Sequence, residues 1–488
     1  MLFNAKTLPW LAQPYAVVLP PWASLQGWWL VGWATASTPP AQQSWYNRQG
    51  QAFNGQTLPV PQTDALSWWQ QASQASPPPT GQWRNLSGEP CTNTPPLTQP
   101  SFALWQYEWG YLCDPALASD PLPAPTTPLP QALWVSLPYV LAYHPQRHTT
   151  ILWQSDVAPP LPLDTLAEMA TGLQGLAYDT PHTTTPQNAL SRSDLEGWLA
   201  PQGLGKAGFV QAAFATLAAI AQGEFYQANV SVLLSQRLAL PHPLGAWAWW
   251  WVAYQANPSP FAAYWHTPQG AVVCNSPERL LHVTPQGVAT TNPIAGTRRR
   301  GATPEADAQR ATELSTNPKE LAEHAMLVDL LRNDLGKVCQ VGSVTVADYA
   351  SIETYRHVMH LVSKVTGQLN ASTHPWEALA AVYPGGTITG CPKVRCMQWL
   401  RQCEPHARGV YTGSLGWVDA ATGAMDMNIL IRTGWAEPQA DTATTQASWQ
   451  VGAGLVADSL PQAEFEECLG KGMTLGQSLP TRLAFALS

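Results

Sequence analysis

Four glutamates stand in two pairs, Glu320 with Glu323 and Glu464 with Glu467, each three residues apart in a stretch with helical patterning. Residues i and i+3 share a helix face, so each pair aims two carboxylates the same way. Like charges that close repel unless a cation lies between them, and oxygen donors without clustered thiols or imidazoles suit a hard ion. Mg2+, completed by water and an anionic substrate, is the expected occupant. The competing reading is a pair of solvated helix faces whose carboxylates meet Lys319 and Lys471.

The elements that would position these residues follow from composition and periodicity. The chain has 488 residues, only 11% of them charged and 45% hydrophobic, with 24 Trp to fill a core. That excludes a disordered chain. A net charge of -8, with no basic run beyond Arg298-Arg299-Arg300, argues against a nucleic-acid surface. No apolar run approaches the roughly 18 residues needed to span a membrane. The first residues lack the pattern of a secretory signal, and the eight cysteines show neither C-x-x-C nor zinc spacing. A cytoplasmic protein with reduced, mostly buried thiols is expected.

Residues 1–200 are rich in Trp, Pro and Gln, with prolines clustered at 77–79 and through 114–130. Short apolar runs at 132–135 and 150–153 predict strands. Apolar residues from Phe209 to Ala221 recur at helical spacing and predict a helix over 207–222, followed by a strand over 225–234. A soft boundary falls near 195–205. It separates an N-terminal subdomain (1–200) from a catalytic portion (201–488), both folded into one α/β body because no Gly/Ser tether divides them.

Within 201–488 the stretches SPERLL (276–281), NPIAGTRRRG (292–301), KELAEHAMLVDLLRNDLGKV (319–338), YPGGTITGCPKVRCM (383–397), YTGSLGW (411–417), DMNILIRT (426–433), GAGLVADS (452–459) and EFEECLGKG (464–472) occur in order. Together they resemble the chorismate-utilising enzymes, which include the anthranilate, aminodeoxychorismate, isochorismate and salicylate synthases. Weaker likeness extends upstream, at 110–118 and 137–152.

The resemblance implies two large, mostly antiparallel sheets packed face to face, helices outside, and a site in the C-terminal portion. It makes chorismate the substrate. Glu323 and Glu467 become direct Mg2+ ligands, with Glu320 and Glu464 holding waters or completing the shell. Glu278 is implied as the general acid for the departing C4 hydroxyl, the alternative being a strand-end glutamate paired with Arg279. His360 falls beside the ring and Thr387 joins the catalytic set. Alone, His360 reads as a packed core histidine and the Gly-x-Gly of 452–454 as a tight turn. For the enolpyruvyl carboxylate, Arg432 offers a planar fork, Lys471 a point charge, Tyr411 a hydroxyl, and Gly452 and Gly454 bare amides. Ala295, Gly296 and Thr297 complete the substrate-binding set. Lys393 and Arg395 are expected on a helix surface, Arg298–Arg300 in a solvated loop, and His357 carries no role.

Gln227 stands where isochorismate and salicylate synthases carry a lysine base, so ammonia rather than water is the expected nucleophile. Nothing in the chain resembles a glutaminase, which implies a separate glutamine amidotransferase subunit as the source of ammonia. Tyr-Gln-x-Asn at 226–229, Pro-Gly-Gly-Thr-Ile-Thr-Gly at 384–390 and the lack of any Glu before Glu89 lean towards aminodeoxychorismate synthase component I. Anthranilate synthase component I is the alternative. Two departures stand out: Ala295 occupies a position where a lysine nucleophile is common, and residues 231–234 look inserted. A catalytically silent chorismate-binding protein is the reading from another class.

Overall fold

The computed structural model describes residues 9–13, 15–35, 42–46, 80–114, 116–117, 126–129, 132–178, 190–355 and 358–480. The prolines at 77–79, much of the 114–130 stretch and His357 lie outside them. Among the described residues, strands gather into two sheets of eleven and ten, antiparallel throughout. The larger sheet runs from Gly390–Cys391 through Gln227–Leu238 and Thr445–Leu455 at one edge to Gly81–Asn85 at the other. The smaller runs from Ile294–Arg299 and Val358–Gln368, through Arg279–Val283, Met425–Asn428 and Ser414–Asp419, to Gln42–Tyr46. In each sheet the strands from before residue 200 form one block and those from after it another, joined where Tyr15–Leu19 pairs with Phe261–Thr267 in the larger sheet and Pro100–Trp105 with Ser414–Asp419 in the smaller.

One apolar layer contains Val17, Trp265 and Val272 of the larger sheet with Phe102, Leu133 and Trp417 of the smaller, so the sheets meet face to face. The outer face of the larger sheet is covered by the helices Leu163–Tyr178, Lys206–Ala221, Leu244–Ala256 and Pro461–Gly476. The smaller is covered by Pro318–Gly336 and Pro375–Val382. Strands with both faces covered lose the polar alternation of a half-solvated strand, which is why Ala132–Ser136 is buried at every residue.

The expected elements at 132–135, 150–153 and 207–222 form as Ala132–Ser136, Thr149–Ser155 and Lys206–Ala221. The next strand differs: it begins at Gln227, not 225, and continues to Leu238. Its pairing with Thr445–Leu455 is unbroken from Leu238↔Thr445 to Ala228↔Leu455. Residues 231–234 are therefore ordinary strand interior, with no bulge in the ladder. All eight cysteines are free, four buried and four partly buried. Four of the 24 tryptophans lie on the 244–256 helix, where Trp247, Trp249, Trp250 and Trp251 are buried. Two of their indoles find carbonyl acceptors, Trp249 at Leu475 (3.0 Å) and Trp250 at Cys274 (3.0 Å). Among the described residues no helix is long and apolar enough to cross a membrane.

Candidate active site

Two helices bring the paired glutamates in from opposite sides. The 318–336 helix starts on Asn317, whose side chain accepts from the amides of Lys319 and Glu320 at 3.0 and 3.2 Å, with Pro318 at the first position. Glu320 thus lies in the first turn, where the helix dipole favours a carboxylate. Glu323 is one turn further in. Burial raises its pKa, the like charge of Glu320 adds to this, and Lys319 opposes it; the charge of Glu467 from the 461–476 helix also raises it. Glu323 therefore feels carboxylates from two elements, Glu320 on its own helix and Glu467 on the other. Glu464 lies in the first turn of the second helix, half-buried.

Cations already attend two of the four. Arg298 reaches Glu320 at 2.9 Å and Glu313 at 3.1 Å, and Lys471 reaches Glu467 at 2.8 Å. The lysine pairing weighed against a metal is thus real for Glu467. Among the described residues no three His, Cys, Asp or Glu side chains gather closely enough to enclose a metal alone. The set still suits Mg2+, which keeps several waters and takes one or two protein carboxylates with an anionic ligand, unlike a cation needing an all-protein cage. Glu323, raised by burial first and then by two like charges, and with no ion pair of its own among the described residues, is the group with most to gain from a cation.

Glu278, Thr387, His360, Thr297 and Arg432 form the second group. Glu278 is buried just before the strand Arg279–Val283, and Thr387 donates to its carboxylate at 3.0 Å from the short helix Gly386–Thr389. Burial raises its pKa to about 7, against the opposing effects of Thr387, the Ile294 amide and the charge of Arg432. Arg279 does not pair with it; that guanidinium grips Asp426 at 2.8 and 2.9 Å. Across a strand pair, His360 lies opposite Thr297, whose hydroxyl is 2.9 Å from Nδ1. Burial first, then Arg432, pushes the imidazole down to about 4, so it is neutral at physiological pH. Arg432 adopts a φ of +48°, a conformation that costs a non-glycine residue about 1 kcal/mol or more and is held here by the Asn275 amide on its carbonyl at 3.1 Å.

Gly296 explains a local irregularity. The pairing of Ile294–Arg299 with Val358–Gln368 shifts between Ala295 and Thr297, and Gly296 takes a φ of +61°. A Cβ there would lie 2.7 Å from the carboxylate of Glu320. Ala295 itself is buried beside Leu361 in the ladder.

The third group lies on the edge of the larger sheet. Gly452 and Gly454 pair with Ser231 and Asn229 inside a strand, not in a turn. A Cβ on Gly452 would stand 2.7 Å from the Tyr411 hydroxyl and 2.8 Å from the Asn229 amide; one on Gly454 would stand 2.5 Å from the Gln227 amide. The glycines make room for these three side chains. Asn229 donates to Tyr411 at 3.2 Å, Gln227 to Glu323 at 3.3 Å, and Lys471 to the Gly452 carbonyl at 3.1 Å. Asn229 was not singled out as a site residue from sequence, although Gln227 and Asn229 sit two apart and so share one face of a strand.

Two surface expectations fail. Lys393 is half-buried, with only 10% of its side chain exposed, and its ammonium lies 2.7 Å from Asp334 and 2.9 Å from the Val382 carbonyl. Arg298 and Arg299 belong to a strand and not to a loop, and Arg298 and Arg300 are tied to Glu320 and Asp307. Arg395 does sit near the surface, 2.8 Å from Glu224.

A family model described as chorismate binding enzyme matches residues 33–476. The chain belongs to the chorismate-binding enzymes. This family member is 45% identical over 273 residues to aminodeoxychorismate synthase component 1 of Bacillus subtilis, covering 56% of this chain and 55% of the relative. It is 44% identical over 256 residues to anthranilate synthase component 1 of Bacillus caldotenax, covering 52% and 48%. The chain spans about half the length of the curated relatives it matches. In structure it resembles anthranilate synthase component I of Streptococcus pneumoniae, with a TM-score of 0.69, 25% identity and 92% of each chain covered. The fold also matches MenF, the menaquinone-specific isochorismate synthase of Escherichia coli, at a TM-score of 0.64 and 17% identity.

Proposed function

We propose that this chorismate-binding enzyme is the aminating component of a two-component synthase, acting in the cytoplasm and delivering nitrogen from ammonia to C4 of chorismate to give 4-amino-4-deoxychorismate. The observation that carries amination is Gln227, a side chain that does not ionise, buried and in contact with Glu323. Activation of water requires a base; ammonia is already a nucleophile and does not. The glutaminase partner is inferred from the names of relatives called component 1 and from the lack of glutaminase motifs in this chain.

Glu278 is the group suited to give a proton to the departing hydroxyl oxygen, since at about pH 7 roughly half of it is protonated. Thr387 orients that carboxyl. His360, neutral and held by Thr297, hydrogen-bonds next to the ring without adding charge. Arg432, Lys471 and Tyr411 bind and orient the enolpyruvyl carboxylate, with Asn229 holding the tyrosine. Ala295, Gly296 and Thr297 shape the wall opposite. Glu323 and Glu467, with Glu320 and Glu464 through water, would hold Mg2+, which supplies Lewis acidity at the ring carboxylate when bound. Ala295 rules out a covalent lysine route in this protein.

Anthranilate formation is the second reading, favoured by relatives of that name matching at 44% identity. One assay separates them. Chorismate, Mg2+ and ammonium are supplied with and without an aminodeoxychorismate lyase. The proposal expects para-aminobenzoate only with the lyase; pyruvate and ortho-aminobenzoate without it would establish the second reading instead. Binding of chorismate with no product under any condition would leave only a silent binding protein.

A further inference from the structure

Arg408 is fully buried and plays no direct part in the site described above, yet each of its five guanidinium N–H groups has an acceptor. Nε and one Nη2 hydrogen go to Glu404 at 2.8 and 2.9 Å, and the other Nη2 hydrogen goes to the Asn229 carbonyl. Nη1 takes the Ile388 carbonyl at 3.0 Å and, more weakly, the Thr412 hydroxyl at 3.5 Å. The rings of Tyr107 and Tyr411 lie 4.8 and 5.6 Å from the guanidinium carbon. Asn229 and Ile388 belong to two separate walls of the site, the 227–238 strand and the turn that carries Thr387.

The main chain of Arg408 is fixed as well. Its amide and that of Gly409 donate to the two oxygens of Glu108 at 2.7 and 3.0 Å, and Tyr107 donates its amide to the Gly409 carbonyl at 2.9 Å. The Arg408 carbonyl accepts from the Tyr411 amide at 3.1 Å. Glu404 in turn takes the amide and hydroxyl of Ser231 at 3.0 and 2.5 Å.

We propose that Arg408, seated on Glu108 of the N-terminal half, is a positioning residue that holds Tyr411 and Asn229 in register to receive the carboxylate of the substrate's side arm. The N-terminal half thereby helps to set the geometry of a pocket whose proposed substrate contacts named above all come from after residue 200. This rests on the reading of Tyr411 as a chorismate contact. A lysine at 408 would keep the charge but lose the planar fork that spans Glu404, Asn229 and Ile388 at once. A glutamine at 108 would accept one amide and turn its own NH2 on the other.

The test compares Arg408→Lys and Glu108→Gln with wild type by steady-state kinetics in chorismate, with ammonium and Mg2+ saturating, and by amide hydrogen exchange over 408–413. Contacts that bind ground state and transition state alike move KM and not kcat. The expected result is a KM for chorismate raised about tenfold or more, kcat within about threefold, and faster exchange confined to 408–413. A folded variant whose KM stays within about twofold of wild type overturns the proposal, whatever its exchange does. If Arg408→Lys does not fold, Glu108→Gln decides on the same terms. Wild type that fails to turn over chorismate would refute the assigned function instead, and unchanged exchange in both variants would still overturn the clamp.

Discussion

The hydroxyl of Thr387 donates a 3.0 Å hydrogen bond to the buried carboxylate of Glu278, from a helical turn more than a hundred residues along the chain. This bond favours the charged form, while burial favours the neutral form, and the balance falls at about 7. Replacing Thr387 by valine removes the favour to the carboxylate. The alkaline limb of the kcat profile should then move upward by roughly one pH unit, the equivalent of one hydrogen bond to a charged group. A limb that moves downward, or stays, would show that another group controls it.

Glu278→Gln should lower kcat by about 10^2- to 10^4-fold, the usual worth of a general acid, and abolish the loss of activity as pH rises through 7. Stability should change with pH in the same sense. A carboxyl whose folded pKa lies above its unfolded value of 4.5 stabilises the fold below the unfolded pKa, and that contribution disappears as pH rises through about 7. Relative to the glutamine variant, wild type should therefore lose up to about 3 kcal/mol between pH 4.5 and pH 8, measured by urea unfolding at both ends.

Glu323→Gln and Glu467→Gln should each weaken Mg2+ binding by at least about 10-fold, read by calorimetric titration with chorismate present. Removing Arg298 is a different perturbation. It frees Glu320 and adds negative charge beside Glu323, so Arg298→Ala should tighten Mg2+ binding if Glu320 is pulled towards the metal.

Gln227→Lys would bring an ammonium, or a base once deprotonated, beside Glu323. Amination should fall and a product of water addition to chorismate should become detectable by chromatography. Loss of amination with no hydroxylated product would mean that the nucleophile is chosen elsewhere.

Lys393→Met strips a cation from the buried Asp334, which sits 2.7 Å away with Lys337 at 2.8 Å as its other partner. Breaking one side of a buried pair costs about 3–5 kcal/mol, and the second lysine keeps this case near the lower end. Denaturant unfolding measures it. A change below about 1 kcal/mol would place the pair among those that solvent already screens.

Residue type and helical spacing were enough to nominate the two glutamate pairs, because they say which face neighbours share. Glu278, His360, Thr387 and Arg432 were nominated by the resemblance of their motifs to the chorismate-utilising enzymes, since alone His360 reads as a core histidine and Glu278 as a strand-end glutamate. Apolar periodicity, which is local, predicted the helix over 207–222, observed as Lys206–Ala221, and the strands around 132 and 150. What periodicity could not supply was partnership between distant segments. Whether Arg279 meets Glu278 or Asp426, whether Lys393 faces solvent or Asp334, and whether Gly452 lies in a turn or makes room for Tyr411 each depend on which strands become neighbours. Strand order and helix docking are set by burial of whole apolar faces over hundreds of residues. The charge environments of Glu278 and His360 arise only once that burial has excluded water.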